Sequence, residues 1–438
     1  MTFGQKLTKS TYLIPSGDVM RLTVKFCFLF LFFISFNIKA AVWEDNQVWS
    51  LQYEEDFSNW MQSNAVNENI FSDPKSPYFG VSTDCADTAY ALRAIFAFEH
   101  NLPFAIYSPS GSRGANKTIN NRQNSWDKNA TSRQRLIAMI NEIGDSVGTE
   151  NLAYFDTFPI AIKSITPGSV FMYKIKARFG NFIRHTYNIK GINDVGTFDV
   201  IYSTQANKAK GLPLIRRKDK EFENMPTDPW GFRKFRWPEL LGRDLSTIPK
   251  ELGPSTEQFA LAQTLGQDGF FKFVTKTLSS TSESSAQRMT RLFKTTCAEA
   301  QARVEYVNQG LNHLIETNNK CMNYEEFDAY STPARDQTLK ELFEKLQRAY
   351  DDVLISGGLN TVSPQLIEFS DIIFKNKSVS NTDLLTYCPI QYRPGISIDL
   401  QVLWKRISKG ALSSHPNDKV EVRWGETTRN TTNCKRWY

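Results

Sequence analysis

Histidine is scarce in this chain. Only His100, His185, His313 and His415 occur among 438 residues. With so few imidazoles and no grouping of His, Cys, Asp and Glu at metal-ligand spacing, a zinc centre is not expected. No glycine-rich phosphate loop occurs, so a nucleotide cradle is not expected either, and no cofactor is called for. No repeat of fixed period is present. Long apolar runs are missing beyond the first forty residues, so nothing downstream is expected to span a bilayer.

The one apolar run that does occur is short. Phe26 to Phe36 is almost wholly Phe, Leu and Ile and follows the basic stretch Met20-Arg21-Leu22-Thr23-Val24-Lys25. That is the pattern of an export signal. Ile38-Lys39-Ala40 offers a cleavage site after Ala40, so residues 1–40 are expected to be a removed leader and the mature chain to be exported, to a periplasm or the outside. The leader carries Lys6, Lys9, Arg21, Lys25 and Lys39 against Asp18, which is +4 of the +6 of the whole chain. The mature chain is therefore near neutral, and its charge gives no argument for binding nucleic acid.

Cysteine is also sparse. Removing the leader removes Cys27 and leaves Cys85, Cys297, Cys321, Cys388 and Cys434. An odd number in an oxidising compartment leaves one thiol over. Four cysteines allow three connectivities; proximity in sequence suggests Cys297–Cys321 and Cys388–Cys434, with Cys85 free.

Residues 41–205 read as mixed α and β. An amphipathic stretch runs from Trp49 to Met61. The prolines and glycine of Ser72–Gly80 keep that segment non-helical. Ala89, Leu92, Ile95 and Phe96 recur at helical spacing, with Asp84 as the N-cap and Cys85 in the first turn. A second helix is expected from Ser132 to Ile143. Strands are expected at 170–175, 185–192 and 197–204, the last two flanking the hairpin signal Asn193-Asp194-Val195-Gly196.

Residues 206–254 read as a basic, aromatic connector. Residues 255–375 read as helical, with Leu339, Leu342, Phe343, Leu346, Tyr350 and Val353 on one helix face behind Thr332-Pro333. Residues 376–438 read as a mixed extension with strand-like runs such as 396–403. The fold class expected is α+β, followed by a mainly helical, disulfide-braced region.

Cys85 is the candidate nucleophile, because a helix N-terminus favours the thiolate. His185, on a strand downstream, is the candidate base. His100 follows the same helix about four turns later, roughly 20 Å along the axis, and is a poor one. Cysteine at a helix start followed by histidine on a strand is the papain-like plan.

The residues around them resemble the NlpC-type cell-wall cysteine peptidases. Ser76-Pro77-Tyr78-Phe79-Gly80, Asp84-Cys85 and the apolar helix ending at Leu102-Pro103 resemble that family's first half. Thr166-Pro167-Gly168-Ser169-Val170-Phe171 and His185-Thr186-Tyr187-Asn188-Ile189 resemble its second. The resemblance covers roughly residues 50–205. It implies that Cys85 attacks an amide carbon and that His185 carries the proton. It also implies that the Cys85 amide and the Tyr78 hydroxyl hold the oxyanion, while Asp84 caps the helix or contacts substrate. The family's Ser-Gly after the cysteine is Ala86-Asp87 here. Its third polar residue falls near Tyr202 or Ser203, so Tyr202 is expected to orient the imidazole. The implied partner is peptidoglycan or another peptide substrate. Asp84-Cys85-Ala86-Asp87 also resembles the transglutaminase-like cysteine peptidases, in which Asp199 would be the strand acid. An inactive envelope-binding or scaffolding protein on the same fold is the non-enzyme alternative.

Overall fold

The computed structural model describes Met1 and residues 41–108, 118–176, 182–222, 224–375, 382–429 and 431–437. Apart from Met1, the expected leader lies outside the described residues.

Ser50 caps α1 (Leu51–Gln62). Asp84 begins α2 (Cys85–Glu99) with a capping box closed by Asp87, an arrangement that satisfies two otherwise orphaned amides at the helix start. Two short strands, β1 (Ala105–Tyr107) and β2 (Thr118–Asn120), pair antiparallel. Thr131 caps α3 (Ser132–Ser146) by the same device.

The main sheet is antiparallel. It is built from β3 (Thr157–Pro159), β4 (Val170–Lys176), β5 (Phe182–Ile192), β6 (Phe198–Tyr202), β7 (Ile215–Lys220) and β8 (Phe232–Phe235), in the order β3-β8-β4-β5-β6-β7. Period-two alternation divides its side chains between two cores. Val170, Met172 and Ile201 join Ala89, Leu92 and Phe96 of α2 on one face. Phe171, Tyr173, Val200 and Tyr202 join Phe270, Phe271 and Val274 of α4 (Glu257–Leu278) on the other.

The segment expected to be a connector is part of this sheet. β7 pairs with β6 and β8 inserts between β3 and β4. Several of its cations are held internally: Arg216 pairs with Asp199 across the strands, and the buried Arg233 donates to Thr157 and to the Pro229 carbonyl. Trp230 is buried. Paired charges let a basic segment enter a sheet that composition alone would exclude.

Beyond α4 come α5 (Ser285–Glu316) and α6 (Pro333–Ile355), packed along each other through Leu292, Phe293, Leu339, Phe343 and Leu346. α7 (Pro364–Lys375), the hairpin of β9 (Ile390–Arg393) with β10 (Ile396–Ile398), and α8 (Leu400–Ser408) complete that core. The strand-like run 396–403 is only half strand. Asp399 accepts a hydrogen bond from the Val402 amide and starts α8. Residues 41–438 form one compact unit.

Two disulfides brace the helical region: Cys297–Cys388 (Cα–Cα 5.9 Å) and Cys321–Cys434 (Cα–Cα 5.3 Å). This corrects the pairing by proximity. Cys297 lies inside α5 and Cys321 lies past its end. The helical residues between them hold the two roughly 30 Å apart, far beyond the reach of a disulfide. Cys85 is the free thiol.

Candidate active site

Three contacts pin the segment that leads into α2. The Ser203 hydroxyl, just past the end of β6, donates to the Thr83 carbonyl at 2.6 Å. Gln205 Nε2 donates to Asp84 Oδ2 at 2.5 Å. The Asn141 carboxamide oxygen accepts from the Ser82 amide at 2.9 Å. Asp84 Oδ1 accepts from the amides of Ala86 and Asp87, and Asp87 Oδ2 accepts from the Asp84 amide. Cys85 is thereby fixed as the first helical residue. Its own amide has no intrahelical carbonyl to reach.

The Cys85 sulfur lies 3.5 Å from the Thr149 hydroxyl and near the backbone of Thr186 on β5. Thr186 is the neighbour of His185. Its side chain is fully buried, while His185 and Tyr187, at the alternate positions, turn to the other face. There the imidazole packs edge-on against Tyr187 (ring centroids 4.5 Å) and Tyr202 (5.0 Å) and against Tyr173 (5.9 Å). The Tyr202 hydroxyl meets that of Tyr306, at 3.3 Å, rather than the imidazole. His185 Nε2 is buried and has no hydrogen-bond partner.

Both side chains line one cavity of about 280 Å³. It lies past the end of β6, at Tyr202, Thr204 and Gln205. Asp84 and Thr149 flank the thiol. The opposite wall comes from the helical region: Glu299 and Tyr306 of α5, and Ser331 to Arg335 at the start of α6. Arg217 of β7 joins this wall through Glu299 (3.2 Å) and the Tyr306 hydroxyl (2.7 Å). Arg335 stacks over the Tyr306 ring at 3.9 Å.

The electrostatics keep the pair neutral. Burial, then the charges of Asp84 and Asp87, push the Cys85 thiol well above its ordinary range, against the opposing hydrogen bond from Thr149. Burial, reinforced by the positive charges of Arg335 and Lys220, holds the His185 imidazole down at about 3. At neutral pH the cavity therefore holds a neutral thiol and, on the other face of β5, a neutral imidazole, with no hydrogen bond between them. Behind it, the buried Asp87 receives the Lys208 ammonium at 2.9 Å.

The expected site residues do not all converge. Cys85, His185, Tyr202 and Asp84 line the cavity. Tyr78 does not. Its hydroxyl donates to Glu99, at the opposite end of α2 from Cys85, roughly 20 Å along the axis. Asp199 is held by Arg216 and lies outside the cavity lining. Thr149, Tyr306 and Arg335 went unseen in the sequence, because each is a common residue type and only the packing of the helical region onto the sheet brings the last two to the site. Among the described residues, no group of three or more His, Cys, Asp and Glu side chains is placed to hold a metal ion, and no helix is long and apolar enough to cross a membrane.

No family model, no curated protein and no solved structure matches this chain.

Proposed function

We propose that the protein is an exported cysteine hydrolase of the papain-like, NlpC-type plan that cleaves amide bonds in peptidoglycan stem peptides. One observation carries the reading: a helix-start cysteine and a strand histidine with an unpartnered, buried ring nitrogen line the same cavity. An antiparallel sheet with the cysteine helix packed on one face is the frame such a plan requires, and two disulfides suit an oxidising compartment.

In this mechanism His185, brought within reach of the thiol from its tyrosine pocket, removes the Cys85 proton as the sulfur attacks the amide carbon. The tetrahedral oxyanion faces the Cys85 amide and the positive end of α2, a contribution of a few kcal/mol in related chemistry. The imidazolium then protonates the leaving amine. Water attacks the thioester, giving its proton to His185, and the acid leaves as the thiol is restored. Tyr202 and Tyr187 hold the imidazole by ring contact, which takes the place of a polar orienting residue.

Soluble stem peptides released from purified peptidoglycan provide the assay. Cys85→Ser and His185→Ala are each expected to lower turnover by ~100-fold or more with the fold unchanged by circular dichroism. Undiminished hydrolysis by Cys85→Ser would sink the proposal. The raised thiol favours a second reading, an envelope-binding protein that has kept the cavity and lost turnover; stem-peptide binding without release of an amine is its signature.

A further inference from the structure

Most charges on the cavity wall already have protein partners. Arg217 is engaged by Glu299 and the Tyr306 hydroxyl. Arg184 is engaged by Glu150 at 2.9 Å. Asp84 is occupied by the α2 cap and by Gln205. Arg335 differs. It is half-buried, lines the cavity and makes no ion pair with any described carboxylate. Its hydrogen bond to the Ser331 carbonyl is long, at 3.4 Å, and its guanidinium carbon lies over the Tyr306 ring, 3.9 Å from the centroid. A guanidinium stacked on a ring keeps its in-plane N–H groups available, and their fork matches a carboxylate. Tyr306 links this cation to the imidazole through the Tyr202 hydroxyl.

We infer that the cavity takes an amide substrate bearing a carboxylate close to the scissile bond, and that Arg335, supplied by the helical region, is the residue that binds it. The inference rests on the hydrolase reading above. It gives the helical region a role as the specificity wall of a site whose nucleophile and base come from the other half of the chain.

The test compares a soluble stem tetrapeptide with the same peptide carrying amidated carboxylates. Wild-type protein is expected to prefer the free acid. Arg335→Gln should raise KM for the acid by about 10- to 100-fold, the range for a lost charge-assisted hydrogen bond, and leave the amidated peptide unaffected. Arg335→Lys should recover part of the loss. Calorimetric binding of both peptides to Cys85→Ser, with and without Arg335→Gln, reads the carboxylate site without turnover. Equal binding of acid and amide, or a loss in Arg335→Gln that is the same for both, would overturn the inference. Retained turnover in Cys85→Ser would instead overturn the hydrolase reading, and the binding comparison would still judge Arg335.

Discussion

The neutral state of His185 can be measured as stability. Its folded pKa is about 3, against 6.5 for an ordinary histidine. Between those values the unfolded chain binds a proton that the native protein refuses. Stability from this group is therefore complete above about pH 6.5 and is lost as the pH falls toward 3. Each unit of that interval is worth about 1.4 kcal/mol, so lowering the pH from 6.5 to 4.5 should cost the native state about 2–3 kcal/mol through His185 alone. Other buried groups titrate too. Asp156, pushed up to about 7 by burial despite accepting from Tyr107, Tyr90 and Asn151, acts with the opposite sign. It is common to wild type and His185→Phe, so it cancels in their difference. Urea denaturation with disulfides intact, at pH 7 and pH 4.5, should show wild type losing about 2–3 kcal/mol more than His185→Phe. The imidazole proton resonances that vanish in the variant should stay at neutral-ring shifts down to pH 4. Parallel pH dependences, or a His185 midpoint between 6 and 7, would refute the account of the site as a neutral pair.

Non-reducing peptide mapping should recover Cys297 joined to Cys388 and Cys321 joined to Cys434, with Cys85 alkylated as a free thiol; a bridge to Cys85 would remove the nucleophile. Lys208→Met should destabilise the protein by about 3 kcal/mol in thermal or urea unfolding, because it strips the buried Asp87 of its cation; a change below about 1 kcal/mol would mean that Asp87 is protonated in the native state. Gly196, in the β5–β6 turn at φ +78°, has no room for a Cβ, which would overlap the Thr275 carbonyl of α4. Gly196→Ala should therefore cost at least about 2 kcal/mol. Gly211→Ala, at φ +60° with open space around it, should cost only about 1 kcal/mol; equal costs would argue against the close packing of α4 on the hairpin.

Local signals were legible in the sequence where local physics decides the outcome. Asp84 reads as the N-cap of the helix that follows it, and the structure bears this out, with Asp87 closing a capping box. The strands expected at 170–175 and 197–204 follow from the turn signals beside them, and the structure has strands at Val170–Lys176 and Phe198–Tyr202. The same reading placed Cys85 and His185 as candidates, and both reach one cavity. The rest depends on partners remote in sequence. Arg216 can sit in a strand because Asp199 lies beside it, a fact of register that composition does not hold. The cysteine pairing depends on α5 being a long rigid rod. Tyr78 stands beside a glycine turn in sequence, yet its hydroxyl is claimed by Glu99 at the wrong end of the helix. Arg335 looks like any exposed helix cation until α6 is laid against the sheet.

The division of the cavity between two parts of the chain has a consequence for biosynthesis. A polypeptide made from its N-terminus presents Cys85 and His185 long before Tyr306 and Arg335 exist to wall them in. Until then the thiol lacks the wall that Tyr306 and Arg335 supply to its cavity. The late segments are in turn fastened by Cys297–Cys388 and Cys321–Cys434, whose second partners follow α6 in the chain. On the proposed hydrolase reading, assembly of the site therefore waits on segments made, and joined by disulfides, after Cys85 and His185.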